Sequence, residues 1–142
     1  MIVKRKTYID MIVVNSKEEL IELINRRIEE QGFECNLNDI DVSKVTDLSK
    51  LFYKSEFDGD LSKWDVSSVE NMSYMFEDSK FTGDISEWDV SSVKSMREMF
   101  YESQFDGDIS KWDVSNVETM ESIFTNSPLG EHEPEWWFRH RE

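Results

Sequence analysis

Alanine is absent from the 142 residues, and cysteine, histidine, proline and glycine are scarce, at one, two, two and five copies. The single cysteine, Cys35, excludes an intramolecular disulfide framework and a CxxC metal site, and reads as a small loop or core residue. His132 and His140 sit eight residues apart with no partner motif. Long apolar runs are missing too. The opening MIVKRKTYIDMIVVN is broken by Lys4, Arg5, Lys6 and Asp10, so it is neither a signal-peptide core nor a membrane span. The expected location is therefore cytoplasmic as written, or surface or secreted if a leader was removed. Positive charge is in deficit: 16 basic against 31 acidic side chains leave a net charge of −15. That balance argues against direct binding to nucleic acid or to an anionic membrane. No glycine-rich phosphate loop, nucleophile elbow or zincin pattern is present. The expectation is a protein that is not an enzyme, with no catalytic residue, no cofactor and no metal.

Aromatic residues, by contrast, are plentiful: nine Phe, five Trp and four Tyr, far from the composition of a disordered chain. Their positions recur. Residues 57–80 (FDGDLSKWDVSSVENMSYMFEDSK) and 81–104 (FTGDISEWDVSSVKSMREMFYESQ) agree at 14 of 24 positions. Residues 105–128 repeat the pattern, and a worn copy at 33–56 keeps Phe33, Leu37, Asp41, Val42, Ser43, Val45, Phe52 and Ser55. The sequence thus divides into an N-terminal cap at 1–32, four copies at 33–56, 57–80, 81–104 and 105–128, and a C-terminal aromatic cap or tail at 129–142.

Within a copy, Ile85, Trp88, Val90 and Val93 carry the spacing of a strand with alternate residues inward. Val93, Met96, Met99 and Phe100 carry a helical or 3₁₀ stripe opened by a capping-box pattern such as Ser67-x-x-Glu70. Gly59, Gly83 and Gly107 mark the turn into the next strand. One copy buries too little to offset the ordering of its backbone, so neighbours must cover one another. Residues 8–14 read as a strand. Ser16 to about Gln31 read as a helix, with Ser16 as N-cap, Glu19 at N3 and Gly32 at its end. The expected fold class is α/β: a short leucine-rich-repeat-like solenoid of four 24-residue repeats with an N-terminal strand–helix cap.

The pattern F-x-G-D-I-S-x-W-D-V-S-x-V-x-x-M-x-x-M-F resembles the repeat of BspA-like leucine-rich-repeat surface proteins, found also in lipoproteins of wall-less bacteria. The resemblance implies a bacterial or phage origin, a solenoid, macromolecule binding and no catalysis.

Residues 33–128 hold 21 acidic and 8 basic side chains, so the repeats carry the acidity. Asp41, Asp65, Asp89 and Asp113 form one periodic row, expected on the outward side of the concave sheet. Asp60, Asp84 and Asp108, with Asn36 in the worn copy, form another along the Gly-Asp turn. Three readings stand open for such aspartates. Each accepts hydrogen bonds from a serine two residues on, in an Asx turn; or the row meets a basic partner; or turns such as Asp58-Gly59-Asp60, and likewise Asp106 and Asp108, hold a cation, without the ligand spacing of an EF-hand. Lys63, Glu87 and Lys111 vary at one position beside the row and are candidates for specificity. The expected function is non-enzymatic binding of a protein partner bearing a basic patch, through the acid-lined surface. The alternatives are a nucleic-acid-mimicking inhibitor of a basic host protein such as a defence nuclease, and a purely structural repeat scaffold. The sequence fixes no oligomeric state.

Overall fold

The computed structural model describes residues 10–141, with the side chain of Arg141 left out. Its regular elements are few. Strand β1 is Ile12–Val13, helix α1 is Lys17–Gln31, strand β2 is Ile40–Asp41, a 3₁₀ turn is Pro128–Glu131 and helix α2 is Glu135–Arg141. β1 and β2 pair in parallel, Ile12 opposite Ile40 and Val13 opposite Asp41. Of the strand expected at 8–14, Tyr8 and Ile9 lie outside the described residues.

The limits of α1 have local causes. Ser16 holds an extended backbone and its side chain accepts the N–H of Glu19 at 3.2 Å, while Glu19 Oε2 accepts the N–H of Asn15 at 2.9 Å. At the far end Gly32 takes φ 90°, a value that disfavours side chains, and its N–H reaches the carbonyl of Ile28 at 2.7 Å. Leu20 and Ile24 are buried on one face.

The expected α/β leucine-rich-repeat-like solenoid is not what the chain forms. Among the described residues there are two α-helices, both outside the repeats, and one two-stranded sheet; the rest is turns and irregular chain. The segments read as helices fail for a reason that lies in the backbone. Two side-chain-bearing residues per copy are left-handed: Lys50, Tyr74, Glu98 and Ser122, with φ 51–60°, and Lys54, Asp78, Glu102 and Asn126, with φ 52–57°. Each costs roughly 1 kcal/mol and interrupts a right-handed helix. The spacing of three is that of successive tight turns, closed by Met75 N–H to Met72 O, Glu77 to Tyr74 and Ser79 to Phe76. The segments read as strands also close into turns, Trp88 N–H to Ile85 O at 3.2 Å and Val93 N–H to Val90 O at 3.0 Å.

What equivalent positions share is contact at a fixed separation. The amides of Met72, Tyr74, Phe76 and Asp78 donate to the carbonyls of Ser95, Arg97, Met99 and Tyr101, and the same pattern joins 48–54 to 71–77 and 96–102 to 119–125. Isolated parallel bridges link Asp47, Asn71, Ser95 and Thr119 in turn. Behind them the core is aromatic. Phe52, Phe76, Phe100 and Phe124 lie face to face at 5.7, 5.8 and 6.2 Å, and Phe57, Phe81 and Phe105 at 6.3 and 6.1 Å. Gly83 and its equivalents serve close approach rather than a special φ: a Cβ there would lie 2.8 Å from the Phe81 ring.

Candidate macromolecule-binding surface

The aspartate rows are built by one local device. Asp41 Oδ1 accepts the N–H of Ser43 at 2.9 Å, and Asp65, Asp89 and Asp113 accept those of Ser67, Ser91 and Ser115 at 3.0 Å. The hydroxyls of Ser67, Ser91 and Ser115 donate to the same oxygens at 2.5, 2.6 and 2.6 Å. Each is an Asx turn in which a short acid saves an orphan amide. Asp60, Asp84 and Asp108 repeat it with Ser62, Ser86 and Ser110, all at 2.9 Å. The expected concave sheet beneath the first row does not exist; Asp41 lies in β2, but Asp65, Asp89 and Asp113 ride on turns.

The hydrogen bonds set the electrostatics. The serine partner holds the carboxyls of Asp41, Asp60, Asp84, Asp89, Asp108 and Asp113 below the ordinary range. Neighbouring charges oppose this: Asp60 and Asp108 push Asp84 upward, and Asp113 pushes Asp89. The periodic carboxylates therefore feel one another. Among the described residues none of either row is in an ion pair with Lys or Arg.

The other sequence candidates scatter. Lys63, Glu87 and Lys111 are exposed. Asp58 accepts the N–H of Thr82 at 2.7 Å and its hydroxyl at 2.9 Å, tying one copy to the next. Asp106 faces His132 Nε2 at 2.6 Å. Among the described residues no group of three or more His, Cys, Asp or Glu could hold a metal ion.

Two arrangements escaped the sequence reading. Arg27 of α1 makes a two-pronged pair with Asp39, at 2.9 and 3.1 Å, which lowers the carboxyl and raises the guanidinium. It stands in a cleft of about 490 Å³ with Met11, Asn36, Asn38, Asp60 and Lys63; Asp39 occupies the copy position of Lys63, Glu87 and Lys111, which was the only available signal. The second is the register of the tail, which was expected only as an aromatic cap or tail. Trp64, Trp88 and Trp112 are buried, and their indole N–H groups donate to the carbonyls of Leu37, Leu61 and Ile85 at 2.8, 3.0 and 3.1 Å. Trp136, one period beyond Trp112, does the same to Ile109 at 2.7 Å. Leu129 is buried at the position of Phe105.

With this geometry in hand, a sequence model of the family described as "Mycoplasma protein of unknown function, DUF285" matches residues 22–137. The chain belongs to the DUF285 family. No curated protein and no solved structure matches it. DUF285 replaces the BspA-like leucine-rich-repeat resemblance, which the scarcity of strand and helix within the repeats also contradicts. The match to DUF285 runs from α1 to Trp137, across the boundary drawn at residue 128. Among the described residues no helix of this DUF285 protein is long and apolar enough to cross a membrane.

Proposed function

We propose that this protein is a non-enzymatic binding module whose aspartate rows recognise a basic patch on a protein partner. The observation that supports this reading is the state of Asp65, Asp89 and Asp113. All three are exposed, each is fixed by two hydrogen bonds from its serine, and none is neutralised by a described cation. Charges already fixed lose little conformational freedom on binding, and a row of one sign raises the association rate for its opposite.

The test is capture from a lysate of the source organism with the wild-type protein and with an Asp65→Asn, Asp89→Asn, Asp113→Asn triple variant. The expected partner is retained by the first and lost by the second, and its association slows as salt rises from low to physiological. A partner held equally by both, with no salt dependence, sinks the reading.

The mutual repulsion of Asp60, Asp84 and Asp108 favours one variant of it, mimicry of a regularly charged backbone. There, duplex DNA added to the complex displaces the protein; a complex indifferent to DNA removes that variant and leaves the first.

A further inference from the structure

The last copy ends in an incomplete set of hydrogen bonds. The amides of Glu98, Phe100 and Glu102 donate to the carbonyls of Glu121, Ile123 and Thr125 at 3.0, 3.0 and 2.9 Å. The amides one period further on, of Ser122, Phe124 and Asn126, make no hydrogen bond among the described residues. They line a groove of about 640 Å³ together with Glu131, Glu133 and Trp137. A second observation bears on the same groove: Glu133 Oε2 is shut off from solvent and has no hydrogen-bond partner among the described residues. A carboxylate oxygen removed from water without a donor is costly, and a cation is its natural complement.

We infer that this groove binds a peptide segment carrying a Lys or Arg side chain. Inside the repeats such a triplet is met by alternate carbonyls of the adjoining copy, as Glu121, Ile123 and Thr125 meet Glu98, Phe100 and Glu102 within chained tight turns, and a bound peptide offers its alternate carbonyls in the same way. The cationic side chain meets Glu133, with the exposed carboxylate of Glu131 beside it. A small anion is refused by the same two carboxylates. A second copy of the chain offers the carbonyls of Ser49, Leu51 and Tyr53 as register mates. Those, however, lie beside α1, whose Lys17 Nζ is bonded to Ser49 Oγ at 2.9 Å, and Trp137 stands on the opposing side. The site is separate from the aspartate rows and does not rest on them.

A displayed library of random ten-residue peptides, panned against the full chain, tests this. Enriched peptides are expected to contain Lys or Arg and to shift the amide resonances of Ser122, Phe124 and Asn126. They lose about tenfold or more in affinity against Glu133→Lys, and against Glu131→Lys should the first variant not fold. The same peptides bind an Asp65→Asn, Asp89→Asn variant undiminished, so failure here and failure of the row reading are told apart. No enrichment, peptides indifferent to both charge reversals, or unmoved resonances at the three amides each overturn the inference. Self-association seen by sedimentation and abolished by the reversals also overturns it, and gives the groove to a second copy.

Discussion

Trp136 donates its indole N–H to the carbonyl of Ile109, the bond that Trp112 makes to Ile85 one period earlier. The tail therefore finishes the column of tryptophans rather than merely lying against it. Trp136→Phe keeps most of the ring and leaves the Ile109 carbonyl without its donor. The expected loss is about 1–2 kcal/mol, against about 3–5 kcal/mol for Trp136→Ala. Chemical denaturation checks both. Deleting residues 129–142 should expose Phe124 and cause aggregation or non-cooperative melting, and a truncated protein that melts like the full chain would show that the tail covers nothing.

The glycines of the repeats make a sharper steric prediction. At Gly83 an added Cβ meets the Phe81 ring at 2.8 Å and the Gly59 carbonyl at 3.1 Å. Gly83→Ala should destabilise by about 1–3 kcal/mol through overpacking, despite the entropy that alanine ordinarily saves in the unfolded chain. Thermal melting of the variant decides the sign.

Removing one aspartate of the row separates its two roles. Asp89→Ala strips the acceptor from both the N–H and the hydroxyl of Ser91 and should cost about 1 kcal/mol. Asp89→Asn retains an oxygen in the same place and should cost less, while removing the charge. Comparing the two melts with their association rates for a basic partner distinguishes cap from charge.

The pH dependence follows from carboxyls held below their ordinary range, chiefly Asp41, Asp84, Asp89, Asp108 and Asp113 by their serines and Asp39 by Arg27. The unfolded chain takes up these protons first, at about pH 4. Their stabilisation is thus complete above that pH and lost as pH falls through the lower folded-state values. Denaturation midpoints from pH 7 down to 2 should fall most steeply below about pH 4.

Glu77 runs the other way. Burial, then the charges of Glu98 and Glu102, raise its carboxyl above the ordinary value. Its contribution is favourable at low pH, where it is protonated in both states, and is lost as pH rises through the raised folded value. Glu77→Gln should therefore stabilise the protein at pH 7, by less than about 1 kcal/mol, and the gain should vanish near pH 4. A variant equally stable at both ends would refute this.

Much of this surface was legible in residue order. The 24-residue period, the serine two places after each aspartate and the tryptophan spacing all correspond to contacts in the structure. Ser16 and Gly32 mark the ends of α1 by simple capping chemistry. The backbone of the repeats was not legible. Met96, Met99 and Phe100 carry a spacing common to helices and to chained tight turns, and only φ separates the two. That angle is left-handed at Glu98 and Glu102, residue types that give no warning of it, because their amides are claimed by Glu121 and Thr125 of the adjoining copy. The Arg27–Asp39 pair was equally hidden, since it depends on where α1 docks.

The parallel indoles have a use beyond packing. Trp64 and Trp88 lie 6.5 Å apart with their planes within 3°, close enough for their electronic transitions to couple. The folded chain should therefore carry its own optical signature, a change in near-ultraviolet absorbance and indole fluorescence that is lost once adjacent rings part, so assembly of the aromatic column can be followed in real time with no dye attached.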